Sequence, residues 1–465
     1  MSRPLIVSPL VALALSGCIS VGPNYKPPAS PLPSAFRASP VGQVEPTSTG
    51  TAWWAEFGDP LLTKTVEESL AQNLDLDAAA ARVTQARAAA RAAGAALLPA
   101  GQLQGDASRA QQSLVGSSAQ SAARQRDIDL FDAGIGASWE LDLFGGNRRG
   151  AEASKADAAA AEAGLAGARL MIAAETADAY IQLRGFQSRL ALAERQVQDA
   201  QHLLDLTKLL VKSGHSAPLQ LDQAEALLAQ TQASTTLLRV GQEVQLNRLA
   251  VLCARPPEAE RGALAQGGSV PDITSLSVSR GPADLLRQRP DVVAAERKMA
   301  ASNARIGLAV ADYYPKIDLQ ALIGFQSLTS GNLFSNDAKQ AQGTAGLRWR
   351  LFDFGRVDAE VAAARGAHAE ALANWRNAVL TAAEDVENAI VQLNERSNQV
   401  VKLEAASQAL KRSHETLLAS YARGAVSQLE VIDTERQWLG TEDAEQDSRT
   451  QRARAVIALH RAMGG

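Results

Sequence analysis

Side chains able to catalyse a reaction or bind a metal are scarce in this chain. The 465 residues include two cysteines and five histidines, and the histidines lack the close spacing that helical zinc sites use. No Gly-Lys-Ser/Thr nucleotide loop occurs in the sequence. The glycine-rich run 145–150 follows a strand-like segment and leads into a helical one, so we interpret it as a turn. We predict no catalytic residue, no metal, no cofactor and no enzymatic activity.

Cys18 has the clearest chemical signature. Residues 1–17 begin with a basic residue and continue with an apolar segment too short to span a bilayer, as in a signal peptide. The string Leu-Ser-Gly-Cys ending at Cys18 matches the bacterial lipoprotein box. It predicts cleavage before Cys18 and a covalent lipid on its thiol, and Ile19 favours the outer membrane as the destination. An ordinary secretory signal with an incidental cysteine is the alternative.

The other cysteine, Cys253, follows an apolar segment at the end of a predicted helix. If Cys18 carries a lipid, no intramolecular disulfide can form, although the periplasm is oxidising. We therefore predict that Cys253 is a buried, inert thiol.

Composition limits the partners and the membrane topology. Acidic and basic residues nearly balance, with a formal net charge of −4, and no basic stripe points to nucleic acid. Residues 18–52 are rich in proline and serine and are predicted to form a lipidated tether. After the signal segment no stretch could form a transmembrane helix, so any membrane crossing must use β-strands.

The remainder of the sequence is an internal duplication. Trp139 to Gly145 is echoed by Trp349 to Gly355 at an offset of about 210 residues, which indicates two duplicated halves. The same offset pairs Gly214 with Gly424, and Pro99 pairs with Pro315 at a slightly larger one. We predict a first repeat at 53–252 with a hairpin at 100–144, a connection at 253–283, and a second repeat at 284–465 with a hairpin at 316–354.

Period-two alternation of apolar and polar residues predicts strands with one apolar face. The four alternating segments are 101–111, 135–143, 317–327 and 344–352. A membrane sheet shows this pattern, as does a soluble half-buried sheet; long polar tips and the tryptophans Trp139 and Trp349 favour the membrane. Since a filled barrel needs roughly eight strands, we predict that the chain oligomerises.

Helical periodicity dominates the rest of each half. Long segments at about 151–212 and 357–422 predict rods, each followed by a return helix at 219–252 or 428–463. Gly214 and Gly424 occupy the intervening turns, where glycine suits the position just after a helix end.

With these features in place, the chain resembles the TolC-like outer-membrane efflux channels, in the lipidated branch that serves resistance-nodulation-division (RND) pumps. The resemblance covers nearly everything after Cys18. The segments that carry it are 53–61, 285–296, 304–307, 314–315 and 351–355.

The resemblance implies a mixed α and β membrane protein that assembles as a homotrimer. Three duplicated protomers would form a twelve-stranded β-barrel continued by a periplasmic α-helical barrel. The protein would be lipid-anchored in the outer membrane and project into the periplasm. It would receive small molecules such as drugs from an inner-membrane RND-type transporter through a periplasmic adaptor, and it would do no chemistry itself.

The resemblance also implies site residues. Tyr421, Leu429, Asp433 and Arg436 match positions that constrict the periplasmic end. Leu429 and Asp433 share one helix face, so three-fold symmetry would bring three copies of each together. A solvated helix face carrying acids by chance is the alternative.

The two halves differ at this constriction, because Asp433 pairs with Gln223 in the first half. We therefore expect a three-fold constriction and not a six-fold one. By the same resemblance, the helix turns at Gly214 and Gly424 would contact the adaptor.

Two other functions fit parts of the sequence. The same fold could serve as the exit duct of a protein or peptide secretion system, which the neighbouring genes would distinguish. A lipid-anchored coiled-coil scaffold without a pore is the third reading, but it would not need two alternating hairpins.

Overall fold

The computed structural model describes residues 20–29, 52–111, 127–257, 261–271, 288–421 and 423–465. Cys18, the signal segment and the tip of the first hairpin lie outside these ranges. The chain divides into two compact units. Of the described residues, one unit takes those within 20–28, 82–161 and 294–375, and the other takes those within 29–81, 162–293 and 376–465.

Helices account for most of the described residues. They are α1 (Pro60–Gln72), α2 (Leu74–Ala95), α3 (Gly146–Lys212), α4 (Pro218–Leu252), α5 (Pro290–Ala311), α6 (Arg356–Tyr421) and α7 (Gln428–Met463). The predicted rods and return helices are therefore present, and their ends lie close to the predicted positions. Within the described ranges, no helix combines the length and the apolar character needed to cross a membrane.

The first unit contains one antiparallel sheet. Its strands are β1 (Ala100–Gln111), β2 (Asp127–Leu141), β3 (Lys316–Ser327) and β4 (Lys339–Arg348), in that order across the sheet. Even-numbered positions form a largely polar face. Odd-numbered positions form the opposite face, which is apolar in the middle of the sheet, with Ile135 and Ile323 as cross-strand neighbours. The predicted alternation is thus confirmed there.

The boundaries of β2 and β4 differ from the sequence prediction. β2 begins at Asp127 and not near residue 135, because the alternation changes phase near Phe131. Ile128 and Leu130 lie on the otherwise polar face, so the periodicity hides this part of the strand. The prediction that the last strand covers 344–352 is wrong at both ends: β4 begins at Lys339 and ends at Arg348.

Residues 20–29 form no helix or strand, yet they are held firmly in the first unit. The buried Arg149 guanidinium donates to the backbone oxygens of Val21 and Gly22, at 3.1 and 3.3 Å, and to Oδ1 of Asn24 at 2.8 Å. The backbone N–H of Val21 donates to the carbonyl of Phe144 at 3.1 Å. These bonds fix the start of the tether against the junction between β2 and α3.

The second unit has the main hydrophobic core. The largest fully buried side chains there include Tyr180, Leu62 and Leu459. Asp59 caps α1 by accepting the backbone N–H groups of Leu61 and Leu62, a common way to satisfy the first turn of a helix. The Tyr180 hydroxyl donates to the other Asp59 oxygen at 2.6 Å. The cap therefore also ties α1 to α3.

Candidate functional site

The polar face of the sheet presents amides and carboxylates. Asp132 on β2 accepts Nε2 of Gln326 at 2.7 Å and Nε2 of Gln340 at 3.4 Å. A shallow groove on this face is lined by residues that include Gln102, Gln104, Gln320, Gln342 and Thr344. These neutral hydrogen-bonding groups make this face of the sheet hydrophilic, whereas the opposite face carries apolar side chains.

The two tryptophans predicted as interfacial anchors occupy equivalent places. Trp139 Nε1 donates to the Leu97 carbonyl at 3.1 Å, and Trp349 Nε1 donates to the Tyr313 carbonyl at 3.0 Å. Each carbonyl lies in the turn that follows α2 or α5. Both indole rings stay partly exposed, so each presents apolar surface while its polar atom is satisfied.

The two helix turns share one backbone geometry. Gly214 and Gly424 both have a φ of +75°, which L side chains rarely adopt. The Gly214 N–H donates to the Val211 carbonyl at 3.0 Å, and the Gly424 N–H donates to the Tyr421 carbonyl at 2.8 Å. The predicted role of glycine after each helix is confirmed by this conformation.

The return helix after the second turn has a side-chain cap, which the return helix after the first turn lacks. Ser427 and Glu430 form a capping box at the beginning of α7, in which each side chain accepts a backbone N–H of the other residue. The hydrogen bonds that the Glu430 carboxylate accepts from the Ser427 backbone N–H and hydroxyl lower its pKa. In the first turn Ala217 makes no side-chain cap and Pro218 opens α4.

The structure places Leu429 and Asp433 on one exposed face at the start of α7. Leu429 is 54% exposed, and the exposed Asp433 accepts Nε2 of Gln437 at 3.0 Å. The opposite face is buried through Val431 and Ile432. An apolar and an acidic side chain therefore project together from this helix.

Tyr421 and Arg436 stand apart from this pair. Tyr421 is half-buried at the end of α6 and Arg436 is exposed on α7. In the described part of one protomer, neither side chain makes a hydrogen bond or an ion pair with Leu429 or Asp433. One chain alone does not assemble the four predicted residues into a cluster.

A row of polar contacts holds α7 against α3, and we call it the α3–α7 seam. Arg189 forms ion pairs with Asp443 at 2.7 Å and with Asp447 at 3.1 Å. Nearer the helix turns, Nε2 of Gln428 donates to Thr207 Oγ1 at 2.6 Å, in a buried contact. The seam thereby fixes the helix that presents Leu429 and Asp433.

Glu435 is a residue of this region that the sequence analysis did not single out. It lies partly buried on α7, where burial and the nearby Asp199 carboxylate raise its pKa to about 7. His414 on α6 is buried beside Trp438, with ring centroids 5.6 Å apart, and burial lowers the pKa of its imidazole. Only the α3–α7 packing brings Asp199 and Glu435 together, so no sequence signal marks the pair.

Cys253 is buried, as predicted. Its Sγ lies 3.9 Å from the Thr65 carbonyl, and burial raises the pKa of the thiol, which disfavours the reactive thiolate. Among the described residues, no group of three or more His, Cys, Asp or Glu side chains could hold a metal ion.

Comparison with known proteins places these features in one family. The family model described as "Outer membrane efflux protein" matches residues 65–255 and 281–465. Nodulation protein T of Rhizobium leguminosarum bv. trifolii is 31% identical, over 92% of this chain and 90% of the relative. The pyoverdine export outer membrane protein OpmQ of Pseudomonas putida is also 31% identical, over 100% of this chain and 97% of the relative.

The outer-membrane channel OprN shares the fold with a TM-score of 0.88 and 32% identity, over 96% of this chain and 99% of that one. The predicted fold class and outer-membrane localisation are confirmed by these matches. They also identify a passive channel and not an enzyme, and no cofactor is known for the family. The chain belongs to the outer membrane efflux protein family and is the outer-membrane channel component of a tripartite efflux system.

Proposed function

We propose that the protein is the passive exit duct for small molecules that an inner-membrane RND-type transporter delivers through a periplasmic adaptor. The observation that carries this proposal is the match to outer-membrane efflux channels along nearly the whole chain. A relative named for pyoverdine export favours small cargo over protein. The cargo range would be set by the pump, as the resemblance implies.

We infer that three copies of the chain build the pore. β1 and β4 are the outer strands of the sheet, and in lipid each unpaired backbone group costs several kcal/mol. Three four-stranded sheets would give twelve strands, enough to close a barrel. The apolar face would then contact lipid, and the polar face would line the water-filled interior.

The start of α7 is proposed as the periplasmic gate. Three copies of Leu429 would form an apolar ring beside a ring of three Asp433 carboxylates, which would attract cations. Arg436 and Tyr421 would link this helix to a neighbouring protomer, since neither is engaged with the pair inside its own chain. The turns at Gly214 and Gly424 are the proposed adaptor contacts, where the exposed Leu219 offers apolar surface beside the first turn.

The tether is proposed to carry the lipid anchor at Cys18. Residues 1–17 would be removed, and residues 18–52 would link the lipid to two repeats at 53–252 and 284–465 joined by residues 253–283. The two ranges matched by the family model support that division. Cys18→Ser should abolish fatty-acid labelling of the protein in cells, and undiminished labelling would exclude this site.

Deletion and complementation test the efflux function. A strain lacking the gene should accumulate small dyes and antibiotics, and the wild-type gene should restore export when the cognate pump and adaptor are present. A strain with a pump-inactivating mutation is the control, because there the channel gene should have no effect. Unchanged dye accumulation together with a lost secreted peptide would instead identify a secretion duct.

A further inference from the structure

The two hairpins have the same internal register. In the first, Ala100 pairs with Ser138. In the second, Lys316 pairs with Arg348, the residues at the corresponding positions of the duplicated sequence. The equivalent tryptophan bonds described above confirm the correspondence. β3 is therefore the counterpart of β1, and β4 is the counterpart of β2.

The halves meet inside one chain through β2 and β3. Ile135 lies opposite Ile323 in this antiparallel junction. Just beyond the strands, the Phe144 ring stacks on the Tyr314 ring, with centroids 4.5 Å apart and planes 17° apart. This internal junction thus consists of a hydrogen-bonded ladder and an aromatic contact at its end.

The counterparts of all these groups are uncovered in the single chain. β4 and β1 are the two outer strands. Phe354, the counterpart of Phe144, is 101% exposed, and Leu98, the counterpart of Tyr314, is 66% exposed. Large apolar side chains left exposed beside a free strand edge indicate a surface that a partner covers.

We propose that β4 of one protomer pairs with β1 of the next in the register that β2 and β3 use within the chain. This places Ala345 opposite Ala107 and seats Phe354 against Leu98 of the neighbouring copy. The occupant of each edge is therefore a second copy of this chain. The inference rests on the proposed trimer and goes beyond it by fixing which residues meet.

The proposed register keeps like faces together. In β1 and in β4 the odd-numbered residues belong to the same face of the sheet as Ile135 and Ile323, so Ala345 and Ala107 extend the apolar face across the junction. Ladder hydrogen bonds would then satisfy the free backbone groups of both edges.

One position distinguishes the two kinds of junction. Inside the chain Gly134 lies opposite Gly324, and a Cβ added at Gly324 would come within 2.4 Å of the Ala133 carbonyl oxygen. At the junction between chains the counterparts are Thr344 and Ser108. Two hydroxyl side chains require the ordinary distance between paired strands and can hydrogen-bond across it. The close glycine contact is therefore expected only at the junction inside the chain.

Cysteine cross-linking tests the register. The chain carrying Ala345→Cys and Ala107→Cys is purified as the full-length protein in detergent and treated with a mild oxidant or a short bis-thiosulfonate reagent. Denaturing gels should show covalent dimers and trimers. Within one chain the two positions lie on opposite edges of the sheet, and the register places Ala107 level with Ser327 but Ala345 level with Leu319. They are therefore roughly 30 Å apart, so a link within one chain is out of reach.

Matched pairs define the alternatives. Ala345→Cys combined with Gly105→Cys or Arg109→Cys stays on the same face but shifts the register by two residues, and it should cross-link much less. Preferred linkage of a shifted pair in an intact trimer would overturn the register alone. A monomer in native mass spectrometry would overturn the trimer itself.

A double-mutant cycle tests the apolar contact. Phe354→Ala and Leu98→Ala should each lower the temperature at which the trimer dissociates, and their effects should be less than additive because both remove one contact. Phe352→Ala, at another highly exposed ring, is the control and should add to Leu98→Ala. Full additivity of Phe354→Ala with Leu98→Ala would contradict the proposed contact.

Discussion

Single substitutions are expected to reduce stability most where two backbones lie in close contact or where a side chain caps a helix. A Cβ at Gly324 would meet the Ala133 carbonyl oxygen at 2.4 Å, whereas a Cβ at Gly136 would make ordinary contacts of 3.7 Å or more. We expect Gly324→Ala to cost about 1–3 kcal/mol and to lower the yield of folded trimer in the membrane. Gly136→Ala is the matched control on the same face, and equal yields for the two variants would contradict the account.

Asp59 combines two structural roles in one carboxylate. It caps α1 and accepts a hydrogen bond from the buried Tyr180 hydroxyl at 2.6 Å. Burial, together with this bond, raises the pKa of Tyr180. Asp59→Ala should lower the thermal midpoint by an amount equivalent to about 1–3 kcal/mol. Asp59→Asn keeps a side-chain acceptor and should lose less. An equal loss in the two variants would show that charge, not hydrogen bonding, is what matters here.

At the scale of elements, the α3–α7 seam brings two like charges near each other. Arg189 with Asp443 and Gln428 with Thr207 are complementary, but Asp199 and Glu435 are both acids. The pKa of Glu435 is raised to about 7 from an ordinary value of 4.5. The folded state therefore binds a proton that the unfolded chain has already released, so stability falls as pH rises from about 4.5 through 7.

Glu435→Gln should remove that pH dependence. Between about pH 5 and about pH 8, the thermal midpoint of the wild type should drop by more than that of the variant. The extra loss in the free energy of unfolding should be at most about 3 kcal/mol. Glu225→Gln, at the equivalent position of the first half, is the control and should behave as wild type. The same drop in wild type and in Glu435→Gln would show that another group titrates.

Elements were predictable where one face of a helix or strand is apolar throughout. The long helices and both glycine turns follow from periodicity and from the duplication. β2 was underestimated because its apolar residues change faces near Phe131, and β4 was carried too far because Trp349 and Leu351 continue the alternation after the strand has ended. Trp349 leaves the sheet to bond the Tyr313 carbonyl, a contact that no local pattern reveals.

At the scale of the whole molecule, the sequence predicts that several chains must assemble, but it does not predict which residues make the contacts. Four strands with one apolar face already require partners in a membrane. The pairing of Leu429 with Asp433 on one face could be deduced from their spacing, and the structure confirms it. The Asp199–Glu435 pair and the exposed Phe354 depend on how distant segments pack, so they emerge only from the coordinates.

The whole molecule is proposed to be a gated pore, and single-channel recording tests this proposal most directly. Purified trimers in planar bilayers are compared with the variant carrying Leu429→Ala and Asp433→Ala, which removes the apolar ring and the acidic ring together. Leu219→Ala with Gln223→Ala, at the equivalent positions of the first half, is the control. We predict higher conductance and weaker cation preference for the gate variant alone. Unchanged conductance and selectivity in that variant would place the constriction elsewhere, and no conductance in any trimer would contradict the channel itself.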